Sequence, residues 1–349
     1  MPNRMSRRAF LATAASAASA AQTKPMNKLG LDLFSLRSQG WTPFEMLDFC
    51  ASNGVEVAHF SELRFLGSTE TDHLKRVRDH ADTLGISLEV GFGSICETST
   101  RFVRKEGTAA EQLVRGFSIA KILGSPFVRC YLGGMDDRKG DLSFEVHMEN
   151  TIKSCKAVRE QALESGVKIA IENHAGDMQA LQLRALIEEA GTDYVGALLD
   201  PGNAAWTLED PLHTLETLAP LALTTGIRDS RIWETDEGAA VMWVPFGKGN
   251  IDIRRWHARF VELRPDLTFS LEIIHLPKPR MFEYRSREFW NDYDEIPAWV
   301  FAGFLNLARK GSPYEPANDP TTPDQQRKDV AADLAFCRRE FSLGRSSSA

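Results

Sequence analysis

The feature that most constrains the fold is an eightfold alternation of short apolar runs and longer amphipathic stretches between residues 29 and 309. The short runs have the length and composition of buried strands, and the longer stretches have the period of helices. Strands that alternate with helices predict parallel βαβ units. Eight such units in about 280 residues favour an α/β fold of the (β/α)8 TIM-barrel type over an open, doubly wound sheet.

The pattern also sets the approximate bounds of each element. The predicted strands are 29–36, 55–60, 86–92, 127–132, 168–174, 195–200, 221–228 and 268–274. The predicted helices are 43–52, 72–84, 108–123, 145–165, 179–190, 210–219, 251–263 and 296–309. Residues 230–250 and 275–295 lengthen the loops after the seventh and eighth strands, and long loops of this kind are often functional. No G-x-G-x-x-G follows the first strand, and Gly247-Lys248-Gly249 lacks the spacing of a P-loop, so no nucleotide cofactor is expected.

The first 20 residues have the composition of an export signal. They contain Arg7-Arg8, then a mildly apolar run of small residues, then Ala18-Ser19-Ala20. This order resembles a twin-arginine signal peptide and predicts export to the periplasm.

A C-terminal extension, 311–349, follows the predicted barrel domain of residues 28–309. It begins with a proline-rich linker and continues into a predicted helix over 324–341 that carries one apolar stripe. That helix must cover either the barrel or a second subunit, so the sequence leaves a homo-oligomer open.

The overall composition excludes two classes of partner. The chain has 41 basic and 48 acidic residues and a net charge of −7, which disfavours a nucleic-acid backbone as the main partner. No apolar stretch reaches the roughly 18–20 residues of a membrane span.

Polar residues at the C-terminal ends of the strands are the candidates for chemistry, because TIM-barrel active sites lie there. Four successive strands each end near a carboxylate. Converging carboxylates repel one another, and a bound divalent cation, Mg²⁺ or Mn²⁺ in an all-oxygen site, would resolve this. The candidate residues are Glu172 and His174 on the fifth strand, Asp200 and Asn203 after the sixth, Arg228 and Asp229 after the seventh, Glu272 on the eighth, and His59 at the end of the second.

Several motifs, taken in their order along the chain, resemble those of the xylose-isomerase-like TIM barrels, a family of sugar phosphate isomerases and epimerases. The resemblance covers roughly residues 28–309. The motifs are Leu31-Asp32-Leu33-Phe34-Ser35-Leu36-Arg37, Glu172-Asn173-His174, Asp200-Pro201-Gly202-Asn203 and Gly247-Lys248-Gly249.

The resemblance implies a divalent metal ion held by Glu172, Asp200, Glu272 and a histidine of the seventh strand. The chain departs from the family at that histidine, because the expected His-x-x-Asp is Gly226-Ile227-Arg228-Asp229 here. Asp229 could be a fourth ligand or support the ligands, and His174 or His275 could replace the missing imidazole.

The implied function is a metal-dependent isomerase or epimerase that removes a proton next to the carbonyl of a sugar or keto-polyol. By resemblance, Glu172 and Glu272 would act as base and acid, with His174 beside them. His59, Asn203 and Arg228 would bind substrate. A keto-sugar lyase or dehydratase is the alternative within the same chemistry, and a non-catalytic sugar-binding barrel is the alternative of another class.

The export signal makes a direct prediction. The mature protein is expected to begin near Ala21, because the Ala18-Ser19-Ala20 triplet is the cleavage site. N-terminal sequencing of protein from the native cell envelope measures this. A soluble pool that retains Met1 or Met5 would contradict it.

Overall fold

The computed structural model describes residues 27–293 and 295–345 of the chain, and the predicted export signal lies outside these residues. Eight parallel strands form one sheet in the order β10-β1-β2-β3-β4-β5-β6-β7. A bridge between Ile227 and Leu271 joins the two edges, so the sheet closes into a barrel. The predicted (β/α)8 TIM barrel is therefore confirmed.

The described part of the chain contains eleven strands and eleven α-helices. The strands are β1 (Leu29–Asp32), β2 (Val57–Phe60), β3 (Ser87–Ser94), β4 (Phe127–Tyr131), β5 (Lys168–Glu172), β6 (Val195–Leu199), β7 (Ala222–Thr225), β8 (Asp229–Glu234), β9 (Ala239–Val244), β10 (Phe269–Leu271) and β11 (Arg280–Phe282). The helices are α1 (Pro43–Ser52), α2 (Thr71–Leu84), α3 (Ala109–Leu123), α4 (Phe144–Lys156), α5 (Arg159–Ser165), α6 (Ala180–Ala190), α7 (Pro201–Ala204), α8 (Pro211–Leu218), α9 (Ile253–Leu263), α10 (Ala298–Lys310) and α11 (Pro323–Phe341). Within the described ranges, none of the helices is long and apolar enough to cross a bilayer.

The two faces of a barrel strand pack against different groups, as β5 shows. On β5, Ile169 and Ile171 belong to the large apolar core, whereas Ala170 belongs to a small separate cluster with Phe127 and Leu198. Because side chains alternate along a strand, Glu172 lies on the same face as Ala170. This small cluster forms an apolar layer in the lumen, and the polar groups of the site lie above it.

Several strands end earlier than the sequence predicts. The first strand, predicted over 29–36, stops at Asp32, whose side chain accepts a hydrogen bond of 2.8 Å from the backbone N–H of Phe34. That bond caps a 3₁₀ helix over Leu33–Leu36 and turns the chain away from the sheet. Local side-chain bonding of this kind competes with the strand ladder, and apolar periodicity does not reveal it.

The long loop after the seventh strand folds into a hairpin. Strands β8 and β9 pair antiparallel, and β11, from the loop after the eighth strand, adds to the edge of β9. The hairpin is anchored to the barrel, since the indole N–H of Trp243 donates a 3.1 Å hydrogen bond to the carbonyl oxygen of Gly202. The two segments that lengthen the simple repeat therefore form one small sheet beside the barrel mouth.

Helix α11 covers its own barrel. Its Asp329 and Asp333 each lie 3.0 Å from a ring nitrogen of His275, which follows the eighth strand. Asp333 also accepts a hydrogen bond of 3.2 Å from the backbone N–H of Phe246. Of the two coverings that the sequence left open for this helix, the barrel is the one observed.

The contact between His275 and α11 predicts a pH-dependent part of the stability. Burial lowers the pKa of His275, but its hydrogen bonds to Asp329 and Asp333 outweigh burial and raise the pKa to about 9. An unfolded-state histidine titrates near 6.5, so this contribution is complete below about pH 6.5 and is lost as pH rises through 9. The stability difference between wild type and His275→Gln should therefore shrink over this range, by at most about 3 kcal/mol.

Urea unfolding at pH 6, 7.5 and 9.5 measures that difference. His80→Gln is the matched control, because His80 contacts Asp48 on the surface, at 2.8 Å. Loss of this exposed pair should cost little stability. An equal cost of His275→Gln at all three pH values would contradict the prediction.

Candidate active site at the barrel mouth

Three carboxylates meet at the C-terminal end of the barrel. Glu172 ends β5, Asp200 follows β6, and Glu272 follows β10. One oxygen of each lies within 4.8 Å of the others, and all three residues are buried. Such a group could hold a metal ion, which is the arrangement expected from the sequence.

A guanidinium group already lies among these carboxylates. Nη2 of Arg228 is 3.2 Å from Oε1 of Glu172 and 2.9 Å from Oε2 of Glu272. The same nitrogen and Nε, the latter at 2.7 Å, both donate to Oδ2 of Asp200. A metal ion shared by these three oxygens would need the same position. The residues as arranged therefore do not fit a metal ion unless Arg228 moves away.

Arg129 is a second buried cation that sequence reasoning missed. Its Nε donates to Oε2 of Glu172 at 2.7 Å, and its Nη2 donates to the same oxygen. The signal was present, because Arg129 lies between Val128 and Cys130 in an otherwise apolar strand. A charged residue there needs a buried partner.

Glu172 has no free oxygen. Oε2 accepts from Arg129, while Oε1 accepts a 2.9 Å hydrogen bond from the side-chain amide of Asn203 and lies near Arg228. Burial raises the pKa of Glu172, but Arg129, His174 and Arg228 outweigh it and lower the pKa to about 2. Glu172 is thus a permanently ionised anchor. Asn203, expected to bind substrate, instead lies buried beneath it.

The turn after β7 carries Gly226 at the position from which a histidine ligand would reach the carboxylates. A Cβ on Gly226 would come 3.6 Å from Oε2 of Glu272 and 3.8 Å from Oδ2 of Asp200, so a side chain at this position would point into the carboxylate group. Asp229, a candidate fourth ligand, points elsewhere. Its Oδ2 accepts hydrogen bonds from the backbone N–H groups of Gly247, at 2.8 Å, and Gly249, at 3.1 Å.

His59 does not reach the mouth of the barrel. It was expected to bind substrate, but its side chain is fully buried in the lumen, 3.6 Å from Asp32 and 3.9 Å from Glu89. Burial lowers its pKa to about 3, so the ring is neutral. The end of β2 lies deeper in the barrel than its place in the sequence suggests.

A cavity of about 440 Å³ opens above the carboxylates. The rings of Tyr131 and His174 stack at 4.2 Å on one part of its wall, and those of Trp206 and Trp243 lie 4.6 Å apart on another. Nδ1 of His174 lies 2.7 Å from the carbonyl oxygen of Gly133, and burial lowers its pKa to about 4. Aromatic walls around a polar floor are typical of small-molecule sites.

Two ionisable groups of the floor, Arg228 and Glu272, line this cavity. Arg228 stays cationic, because Asp200, Glu272 and Glu172 raise its pKa by more than burial lowers it. Burial raises the pKa of Glu272 to about 8, against the opposing effect of Arg228. Within residues 27–293 and 295–345, Oε1 of Glu272 and Nη1 of Arg228 have no hydrogen-bond partner. A titratable carboxyl group and a buried cation thus line the same cavity.

The sequence of residues 47–291 matches the family model described as a xylose isomerase-like TIM barrel. The chain belongs to this family. This xylose isomerase-like barrel resembles, among others, one curated protein in sequence and two solved structures in fold.

The first similarity is to a curated relative, the 3-oxo-isoapionate decarboxylase of Pectobacterium atrosepticum. It is 22% identical over 184 residues, which cover 53% of this chain and 59% of the decarboxylase. The chain thus matches less than two thirds of that protein.

The other two similarities are to solved structures. One is D-psicose 3-epimerase of Clostridium cellulolyticum, crystallised with D-tagatose. The superposition has a TM-score of 0.61 at 13% sequence identity and covers 89% of this chain and 98% of the epimerase chain. The other is the IOLI protein, crystallised with zinc. Its superposition has a TM-score of 0.58 at 16% sequence identity and covers 90% of this chain and 100% of the IOLI chain. At these identities the two structures show that the xylose isomerase-like fold is shared.

The pair of Arg129 and Glu172 predicts a large coupling energy. Arg129→Met should destabilise the protein by about 3–5 kcal/mol, because it removes the main partner of a buried carboxylate. The double variant Arg129→Met/Glu172→Gln should recover much of that loss, since no unpaired charge remains. Urea unfolding of wild type, both single variants and the double variant measures the coupling.

Arg159→Met is the matched surface control, because Arg159 also binds one carboxylate, that of Asp193, through two nitrogens. Both groups are exposed, so the loss of this pair should matter little. If Arg129→Met were no more harmful than Arg159→Met, the buried pair would not carry the stability assigned to it.

Proposed function

We propose that this protein is a sugar-modifying enzyme, an isomerase or epimerase that removes a proton next to the carbonyl of a keto-sugar or keto-polyol. From the Arg7-Arg8 signal we further propose that it acts in the periplasm. The observation that carries the proposed reaction is the position of Glu272, which faces the cavity beside the cation of Arg228. Membership of the xylose isomerase-like family supports it.

Glu272 is the proton-transfer group in this proposal. Its Oε2 is held 2.9 Å from Arg228, which leaves Oε1 for substrate. A carboxyl group whose pKa lies near neutrality can both accept a proton from carbon and return it. Glu172, the other carboxylate expected to act in proton transfer, has both oxygens occupied and serves to hold Arg228 and Arg129 in place.

Arg228 supplies positive charge where negative charge develops. When a proton leaves the carbon next to a carbonyl, the carbonyl oxygen becomes an enolate oxygen. A fixed N–H donor aimed at that oxygen stabilises the transition state without reorganisation. Nε and Nη2 of Arg228 are engaged with the carboxylates, which leaves Nη1 as the nitrogen for this role.

A lyase that releases carbon dioxide is the second candidate. Arg101 and Arg280 line the same cavity, and their guanidinium groups have no ion-pair partner in the described part of the chain. Two such cations suit a substrate that carries a carboxylate. Loss of carbon dioxide from a 3-keto acid forms the same kind of enolate, so Arg228 would serve both reactions. The similarity to a decarboxylase favours testing this candidate alongside the first.

Solvent exchange tests the shared step. Incubation in D₂O with ketohexoses and with 3-keto sugar acids should incorporate deuterium next to the carbonyl of a substrate or product. Glu272→Gln should reduce the rate by at least about 10²-fold, the usual scale for a positioned general acid or base. Mass spectrometry and NMR measure the exchange, and release of carbon dioxide distinguishes the lyase.

The control variant is Glu188→Gln, which removes an exposed carboxylate of α6 that pairs with Arg184. It should exchange at the wild-type rate. Full activity of Glu272→Gln would remove this residue and the proposed mechanism. Tight binding of a sugar without exchange or turnover would instead support the non-catalytic sugar-binding alternative.

A further inference from the structure

We propose that Arg228 is the resident cation of this site, so that its guanidinium group takes the place of a divalent metal ion. The observation is geometric: one nitrogen of Arg228 contacts a carboxylate oxygen from each of β5, the turn after β6 and the segment after β10. The same three residues each offer one carboxylate oxygen close enough to the others to share an ion.

Arg228 is held in that position from several sides. Nε and Nη2 both donate to Asp200, which is itself oriented by hydrogen bonds from the backbone N–H groups of Gly202, at 2.7 Å, and Asn203, at 3.2 Å. The guanidinium also lies 4.4 Å from the ring centre of Trp243, at cation–π distance. A metal ion would have to displace a buried, well-packed cation.

Two further features reduce the affinity for a metal ion. Oε2 of Glu172 is engaged by Arg129, so this carboxylate offers one oxygen at most. Gly226 leaves the fourth position without a ligand, although a side chain there would point at Glu272 and Asp200. The protein therefore supplies at most three single carboxylate oxygens, and water would have to complete the octahedral shell of a magnesium ion.

The glycine and the arginine are coupled through the strand. Gly226 and Arg228 are two residues apart, while Ile227 between them pairs with Leu271 and belongs to the outer core. Both positions therefore face the carboxylates. Cβ of Arg228 lies 2.4 Å from a Cβ built on Gly202, so the arginine backbone approaches α7 closely. The side chain can then reach the space that a ligand at position 226 would use.

The catalytic part of this inference rests on the proposed function, because it assigns to Arg228 the charge stabilisation of the enolate. The exclusion of a metal ion does not depend on it. The experiment therefore measures metal binding separately from exchange.

The test compares full-length wild type with Arg228→Ala and with Gly226→His/Arg228→Ala. Metal content is measured by mass spectrometry after expression with Mn²⁺ and Zn²⁺, and Tm is measured with EDTA and with added Mn²⁺, Mg²⁺ or Zn²⁺. We expect wild type to hold no stoichiometric metal and to keep its Tm in all conditions. Gly226→His/Arg228→Ala, with a fourth ligand and a vacated centre, should bind about one equivalent, and saturating metal should raise its Tm by a few degrees.

One equivalent of metal in wild type, removed by EDTA with a fall in Tm, would overturn the proposal. The proposal would also be overturned if Mn²⁺ raised the Tm of wild type by as much as it raised the Tm of Arg228→Ala. If Gly226→His/Arg228→Ala does not fold, the wild-type measurements and Arg228→Ala alone still decide the question. Deuterium exchange by wild type that persists in EDTA supports the catalytic role of Arg228. If wild type binds no metal, as expected, but also catalyses no exchange, the result counts against the proposed function and leaves the exclusion of a metal ion standing.

Discussion

The barrel mouth depends on the balance between three buried carboxylates and two buried guanidinium groups. Glu172, Asp200 and Glu272 supply up to three negative charges, and Arg129 and Arg228 supply two positive ones. Groups of this kind cannot be removed from water singly, because an unpaired buried charge costs several kcal/mol. Burial raises the pKa of both Asp200 and Glu272, and with Glu272 alone protonated the five groups sum to zero.

The hairpin that follows the seventh barrel strand packs beside Arg228. Its neighbour Asp229 begins β8 and accepts from the amides of Gly247 and Gly249, which joins the two ends of the hairpin segment. A Cβ on Gly249 would lie 1.8 Å from Oδ1 of Asp229, so only glycine permits this approach. From the same hairpin, Trp243 packs against the guanidinium. The motif Gly247-Lys248-Gly249 thus supports the site without contacting its carboxylates.

The lumen below the site is also polar. Glu89 accepts from Thr224, at 3.0 Å, and Thr268, at 3.1 Å, and His59 lies between it and Asp32. Burial raises the pKa of Glu89 to about 7 and that of Asp32 to about 6, which shifts both carboxyl groups toward the neutral form. The charges of the mouth therefore lie above a layer of buried polar groups, and the ring of Phe127, from the small apolar cluster, contacts His59 in that layer.

The sequence by itself determined the eight barrel strands, the helices around them and the end of the barrel at which the candidate site lies. Local periodicity is sufficient for that, because strands have a period of two and active sites lie at strand ends. It also showed that Gly226 stands where the histidine ligand of the family is expected. Only the tertiary structure decided which charges pair. Arg129 pairs in register with Ala170, two residues before Glu172, and this register between β4 and β5 brings the two charges together. The position of Arg228 among carboxylates of three different strands likewise depends on closure of the barrel. Such distances are set by packing between strands far apart in the chain, and no local pattern encodes them.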